Sequence, residues 1–332
     1  MPKMPTGARK PAAPGRLTPE TSAANESSLA GRPAAASATH ASARGLAAAA
    51  AAFTIWGLLP VYLKPLHEVA AIQVIAHRVA WSCVFILGWM LARGELRELR
   101  ATLTNPAMLS RLALTALLVS ANWLVYVWGV ANGHVVETSL GYFINPLVNV
   151  LLGVVVLRER LNRTQWTAVA LAAIAVVYLT LITGRPPWIA LALAATFSLY
   201  GLLRKVISVA ALPGLATETL LLMPLGAAYL LWCGATGAGA FGSASLGLDA
   251  LLIASGPVTA VPLFLFAYGA RLIPYSTVGL LQYIAPSLQL MCGVFLYHEP
   301  FERLRAVGFA LTWLALLIYA GDGLWRARFA SR

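Results

Sequence analysis

The sequence predicts an all-α polytopic membrane protein, with about ten transmembrane helices arranged as two inverted five-helix repeats. Its 332 residues are 59% hydrophobic and only 11% charged, with mean hydropathy +0.75, whereas soluble domains carry roughly 25% charge. Apolar runs long enough to cross about 30 Å of hydrocarbon recur along most of the chain, without the alternating period of a lipid-facing barrel. One segment also occurs twice. LGYFINPLVNVLLGVVVLRERLNR (Leu140 to Arg163) aligns without gaps on LLQYIAPSLQLMCGVFLYHEPFER (Leu280 to Arg303). Leu140, Ile144, Pro146, Gly153, Val154, Glu159 and Arg163 match Leu280, Ile284, Pro286, Gly293, Val294, Glu299 and Arg303, at an offset of 140 residues. Each copy is an apolar run with a proline near its start and a glutamate and arginine at its water edge. That is a transmembrane helix leading into a polar turn. YVWG at Tyr126 to Gly129 falls on FAYG at Phe266 to Gly269 at the same offset, and AAFTIWGLL at Ala51 to Leu59 sits over ATFSLYGLL at Ala195 to Leu203 at 144. A four-residue change in one loop reconciles the two offsets, so the whole half is repeated.

In chain order, residues 1–44 are rich in Ala, Pro, Ser, Thr and Gly, hold six basic residues and contain no apolar run. This composition predicts a disordered cytoplasmic tail. A secretory signal competes, because basic residues precede the alanine-rich Gly45 to Ala52. The run continues through FTIWGLLPVYL without a small-residue cleavage site, so a retained first span is expected. The first repeat, 45–184, holds spans at Leu46 to Leu63, Ile72 to Leu91, Leu109 to Gly129, Val136 to Leu157 and Gln165 to Ile182. The second, 185–322, holds spans at Pro187 to Val206, Thr217 to Cys233, Ala250 to Ala270, Thr277 to Tyr297 and Ala306 to Tyr319, with a flexible external loop at Gly234 to Gly247. Residues 323–332 form a basic cytoplasmic tail.

Placing the N-terminus inside puts nineteen of the 24 basic residues in cytoplasmic segments, against Lys64, Arg185, Arg303 and Arg305 outside and Arg78 within a span. That bias orients both termini to the cytoplasm of a plasma (inner) membrane. Five spans per half is an odd number, so the second half inserts upside down relative to the first. Such repeats build transporters whose site lies at the repeat interface near the midplane.

Charged residues within spans cost about 2.5 to 3.5 kcal/mol each on insertion scales, and so point to function or pairing. His77 and Arg78 on the second span and Glu218 at the start of the seventh are the clearest. Arg78 and Glu218 are separated by the repeat offset and are expected to face each other, either as a static pair joining the halves or with Glu218 as the proton-coupling group beside a substrate-binding Arg78. Glu137, on the fourth span, reads as an acid complementing a helix N-terminus. Trp56, Trp81, Asn122, Tyr142, Asn145, Gln282 and Tyr283 are cavity candidates with Trp123, Tyr126, Trp128 and Tyr268, since aromatic faces stack planar solutes and attract cations; interfacial belts are the competing use of Trp and Tyr, and the expected one for Trp128 near a span end. Pro146 and Pro286 mark helix kinks. Gly153 and Gly293 are expected to allow close helix packing.

Cys83, Cys233 and Cys292 are far apart, with no metal-ligand spacing. No phosphate-cradling loop, HExxH or nucleophile elbow is present, so neither an enzyme, a cofactor, a metal nor a nucleotide-driven pump is expected. The dispersed arginines form no nucleic-acid patch. The expected partners are the lipid bilayer and a small-molecule substrate, with a homodimer left open.

SLGYFINPLVNVLLGVVVLRERL, HRVAWS at His77 to Ser82, NWLVYVWGVANGH at Asn122 to His134, ETLLLMP at Glu218 to Pro224 and QYIAPSLQ at Gln282 to Gln289 resemble the RarD branch of the EamA transporters, in the drug/metabolite transporter superfamily. The resemblance covers about residues 46 to 325. It implies an inner-membrane protein of two EamA repeats, of a branch labelled chloramphenicol-sensitive, that moves small molecules. The expected function is a secondary transporter exporting small organic metabolites or drugs. A membrane scaffold or stress-response protein without translocation is the alternative. A transporter should turn its ionisable and amide groups into a wet cavity, and a scaffold should keep them paired and dry. Arg158 departs from the pattern, which has a glycine before the glutamate.

Overall fold

The structure, a computed structural model, describes residues 41–132, 134–183, 188–242, 245–297 and 303–330. The helical bundle is one compact unit, Arg44–Arg332. Among the described residues there is no strand. The helices are α1 (Ala41–Leu66), α2 (Ala71–Ala92), the short polar α3 (Leu96–Leu103), α4 (Pro106–Ala131), α5 (Val135–Val155), α6 (Arg163–Thr183), α7 (Trp188–Val206), α8 (Ala211–Ala235), α9 (Leu246–Leu272), α10 (Tyr275–Leu296) and α11 (Arg303–Ala330). Eight of these are long and apolar enough to cross a membrane, and α5 and α11 contain the shorter apolar stretches Leu140–Val155 and Ala306–Asp322. Outward-facing Leu181, Leu225, Leu231 and Phe295 are exposed, as lipid-contacting side chains are in a multi-pass membrane protein.

Local chemistry sets the helix starts. Asn105 caps α4, its Oδ1 accepting from the N–H groups of Ala107 and Met108 at 3.1 and 3.2 Å. At α6 the cap is reciprocal: Asn162 Oδ1 accepts from Gln165 N–H at 2.7 Å, while Gln165 Oε1 accepts from Asn162 N–H at 3.0 Å. Ser245 Oγ accepts from Leu248 N–H at 3.1 Å to open α9.

The two prolines of the repeated segment behave differently. α5 runs through Pro146 as one helix. α10 breaks into Tyr275–Leu281 and Ile284–Met291, with Gln282 and Tyr283 in a turn between them. Pro286 has no N–H to offer the Gln282 carbonyl four residues back, and that carbonyl accepts instead from Ala285 N–H at 3.1 Å. The kink therefore sits where Gln282 and Tyr283 project. α10 then finishes in a π-helical turn, Cys292–Leu296.

α5 packs on α7 and α10, α2 on α8 and α9, α4 on α7, and α6 on α11. The two copies of the repeated segment thus lie against each other. Their approach is close: a Cβ on Gly279 would lie 2.7 Å from the Pro146 carbonyl oxygen, so only glycine fits. Where α2 meets α9, a Cβ on Gly256 would lie 2.5 Å from the Trp81 carbonyl oxygen.

Several expectations are corrected here. α8 begins at Ala211, so Glu218 lies two turns inside the helix rather than at its start. α11 continues to Ala330, so most of the basic segment 323–332 is helical. The loop after α8 is not a free tether: Gln73 on α2 donates from Nε2 to Ala238 O at 2.7 Å and accepts at Oε1 from Ala240 N–H at 3.0 Å. Residues 1–40 of the expected tail, Glu299, and the side chains of Glu137 and Arg303 lie outside the described residues.

Candidate functional site

A cavity of about 190 Å³ lies where α1, α2, α4, α5, α7, α9 and α10 converge. Its walls come from one face of each helix: Phe53 and Trp56 on α1, Asn122, Trp123 and Tyr126 on α4, Thr138, Tyr142 and Asn145 on α5, Phe197 on α7, and Gln282 and Gln289 on α10. Arg78 of α2 is the single charged side chain among the described lining residues. Its Nε donates to Thr259 Oγ1 on α9 at 2.8 Å, and its guanidinium stands over the Trp123 ring at 5.1 Å. The Tyr126 and Tyr142 rings meet edge-on at 6.2 Å.

The amides are held as much as displayed. Asn122 donates from Nδ2 to Leu193 O and Thr196 Oγ1, each at 2.9 Å. Asn145 Oδ1 accepts from Ser198 Oγ. Gln282 Oε1 accepts from Asn149 Nδ2 at 2.8 Å, tying the repeated segments together, and Gln289 donates to the Trp56 carbonyl at 3.2 Å. Fixed amides present defined polar edges to a solute without side-chain reordering.

Of the residues singled out in the sequence, Trp56, Arg78, Asn122, Tyr142, Asn145 and Gln282 meet in this cavity, with Trp123 and Tyr126. Four do not. His77 and Trp81 lie one helical turn apart and face the loop after α8, where the Phe241 ring covers both, at 5.6 and 5.9 Å. Tyr283 is 1% exposed and donates to the Phe143 carbonyl at 3.2 Å. Glu218 does not face Arg78. Its carboxylate is 2% exposed and pairs with Arg204 of α7, Oε1 to Nε at 3.6 Å. It also accepts from Thr115 Oγ1 at 2.6 Å and Tyr200 Oη at 3.4 Å. The repeat offset relates positions along equivalent helices, and it does not make those positions touch.

Phe53, Thr138, Phe197 and Gln289 were missed, although each lies a helical turn or two from a wall residue (Gln282 and Gln289, for example), so the helical period held the signal. Glu159 was read only as a motif residue. Its carboxylate accepts from the backbone N–H of Tyr275, from Ser276 N–H at 2.9 Å and from Ser276 Oγ at 2.7 Å, capping α10 from the α5–α6 turn. A Cβ on Gly153 would lie 2.7 Å from Glu159 Oε2, so that glycine makes room for the cap. Arg158 adopts φ 56°, the left-handed region, which explains why a glycine is expected there.

A sequence model of the EamA-like transporter family matches residues 43–181. An uncharacterized transporter of Pseudomonas aeruginosa is 46% identical over 86% of this chain and 95% of its own length. The chain belongs to the EamA family. Other relatives carry the RarD name: Protein RarD of Streptomyces exfoliatus is 44% identical over 83% of this chain and 88% of its own, and that of Escherichia coli K12 is 40% identical over 87% and 98%. These EamA relatives extend over both halves of the chain, beyond the segment that the family model matches. A solved crystal structure superposes with TM-score 0.65 at 19% identity, covering 82% of this chain and 96% of the other, so the EamA bundle described here is a fold seen by experiment.

Proposed function

We propose that this EamA-family chain is a secondary transporter that exports small organic metabolites or drugs through the cavity between two inverted five-helix repeats. It sits in the inner membrane with both termini cytoplasmic. The observation that carries the proposal is the cavity itself: an arginine, four amides and a wall of aromatics meet there, at the crossing of the two repeated segments. A scaffold has no need to keep a charged side chain at an enclosed space inside the bilayer. Packing supports a two-fold relation between the halves. Gly129 on α4 meets Ile189 on α7, and their repeat counterparts Gly269 on α9 and Gly45 on α1 also meet.

The test has two parts. Metabolite profiling of cells lacking and overproducing the protein should reveal a pool that moves in opposite directions, and that compound should cross proteoliposomes containing the purified protein. Unchanged pools and no flux would leave the scaffold. Cysteines at Arg160 and Arg305 should label from opposite faces of the membrane; labelling from one face removes the inverted repeat.

A further inference from the structure

We infer that the cavity takes a small organic anion, its carboxylate or equivalent acid group on Arg78 and its planar apolar part against Trp123, Tyr126 and Tyr142. The inference rests on the transport reading of this cavity and adds the chemical class of the cargo.

The first ground is charge. Among the described residues no carboxylate lines the cavity. Three other acids of the bundle are engaged elsewhere: Glu218 by Arg204, Glu159 by Tyr275 and Ser276, and Asp249 by the Gly242 N–H at 2.8 Å. Arg78 carries its charge at any physiological pH, and none of the described residues lining the cavity supplies a counter-charge. A buried charge without a partner is costly, so an anionic solute gains what a neutral or cationic one forfeits.

The second ground is geometry. The Arg78 hydrogen bond among the described residues uses Nε, toward Thr259. That leaves the terminal nitrogens, the pair that grips a carboxylate side-on, without a protein acceptor. Thr259 and the Trp123 face hold the guanidinium in place before any solute arrives. The third ground is size. At about 190 Å³ the space falls below the roughly 300–1,000 Å³ of drug-sized pockets, which favours a compact molecule with one ring over a larger drug.

Three probes of one shape and different charge test this: benzoate, benzamide and benzylamine. Purified full-length protein in lipid nanodiscs should bind radiolabelled benzoate, with benzamide and benzylamine competing about tenfold or more weakly, the worth of one charge-assisted hydrogen bond. R78Q should lose benzoate binding while its melting curve shows an intact fold, and R78K should fall between the two. Absence of benzoate binding, equal competition by the amide or the amine, or unchanged benzoate binding by folded R78Q would each overturn the proposal. The series on the unmodified protein decides even if R78Q does not fold. Charge-selective binding without flux in proteoliposomes would remove the transport reading and leave the site. Flux of a neutral or cationic compound, with benzoate unbound, would remove the anion site and leave transport.

Discussion

Among the described residues two arginines lie within the bundle, Arg78 on α2 and Arg204 on α7, and they differ in what surrounds them. Arg204 is 1% exposed, paired with Glu218 and donating from Nη2 to the Ala211 carbonyl at 2.9 Å. Arg78 has a hydroxyl and an indole face for neighbours and opens on a cavity. The same side chain is a fastener in one place and an available charge in the other. What separates them is whether the protein itself provides the counter-ion.

The largest expected effect comes from breaking the fastened pair. Glu218→Ala leaves Arg204 buried without its carboxylate and should cost about 3–5 kcal/mol, read as lost folded yield and a lowered melting temperature in detergent. Replacing both together, Arg204→Met with Glu218→Leu, should recover most of that loss, because an apolar pair of similar volume avoids the desolvation of two charges. If the double variant melts as early as Glu218→Ala, the pair does more than fasten. At Arg78 the pattern should invert: Arg78→Gln should barely shift the melting curve and should abolish flux. A melting loss at Arg78 as large as that at Glu218 would erase the distinction between the two sites.

Glu159 is an intermediate case, a carboxylate satisfied by backbone N–H groups and a serine rather than by an arginine. Glu159→Ala should cost about 1–2 kcal/mol, the range of a lost helix cap. Gly153→Ala, which crowds Glu159 Oε2, should lower stability in the same direction. The smallest effect belongs to Arg158, exposed and held at φ 56°. Arg158→Gly should raise stability by up to about 1 kcal/mol by relieving the left-handed backbone, and should leave flux unchanged.

Much of the site was legible. Trp56, Asn122, Tyr142, Asn145 and Gln282 are polar or aromatic residues deep in apolar runs, where burial demands a partner or a cavity. The ones that went elsewhere show what a linear pattern omits. His77 and Arg78 are adjacent and equally out of place in an apolar span, yet successive residues on a helix point about 100° apart. One therefore met the Phe241 loop and the other the cavity. Arg204 was read as one of the basic residues at a cytoplasmic helix end, because its sequence surroundings resemble those of any such arginine; only its reach to the Ala211 carbonyl and the Glu218 carboxylate of α8 shows it to be buried.

The sequence by itself determined the membrane-spanning class, the approximate helix boundaries and the repeated segment, because these follow from local hydropathy and from self-similarity along the chain. Which charges pair was decided by tertiary structure alone. An offset between repeats equates positions within equivalent helices, but the partner of a side chain depends on how each helix is rotated and which neighbour it meets. The packing of α7, α8 and α4 gave Glu218 to Arg204 and Thr115, and it left Arg78 facing the cavity.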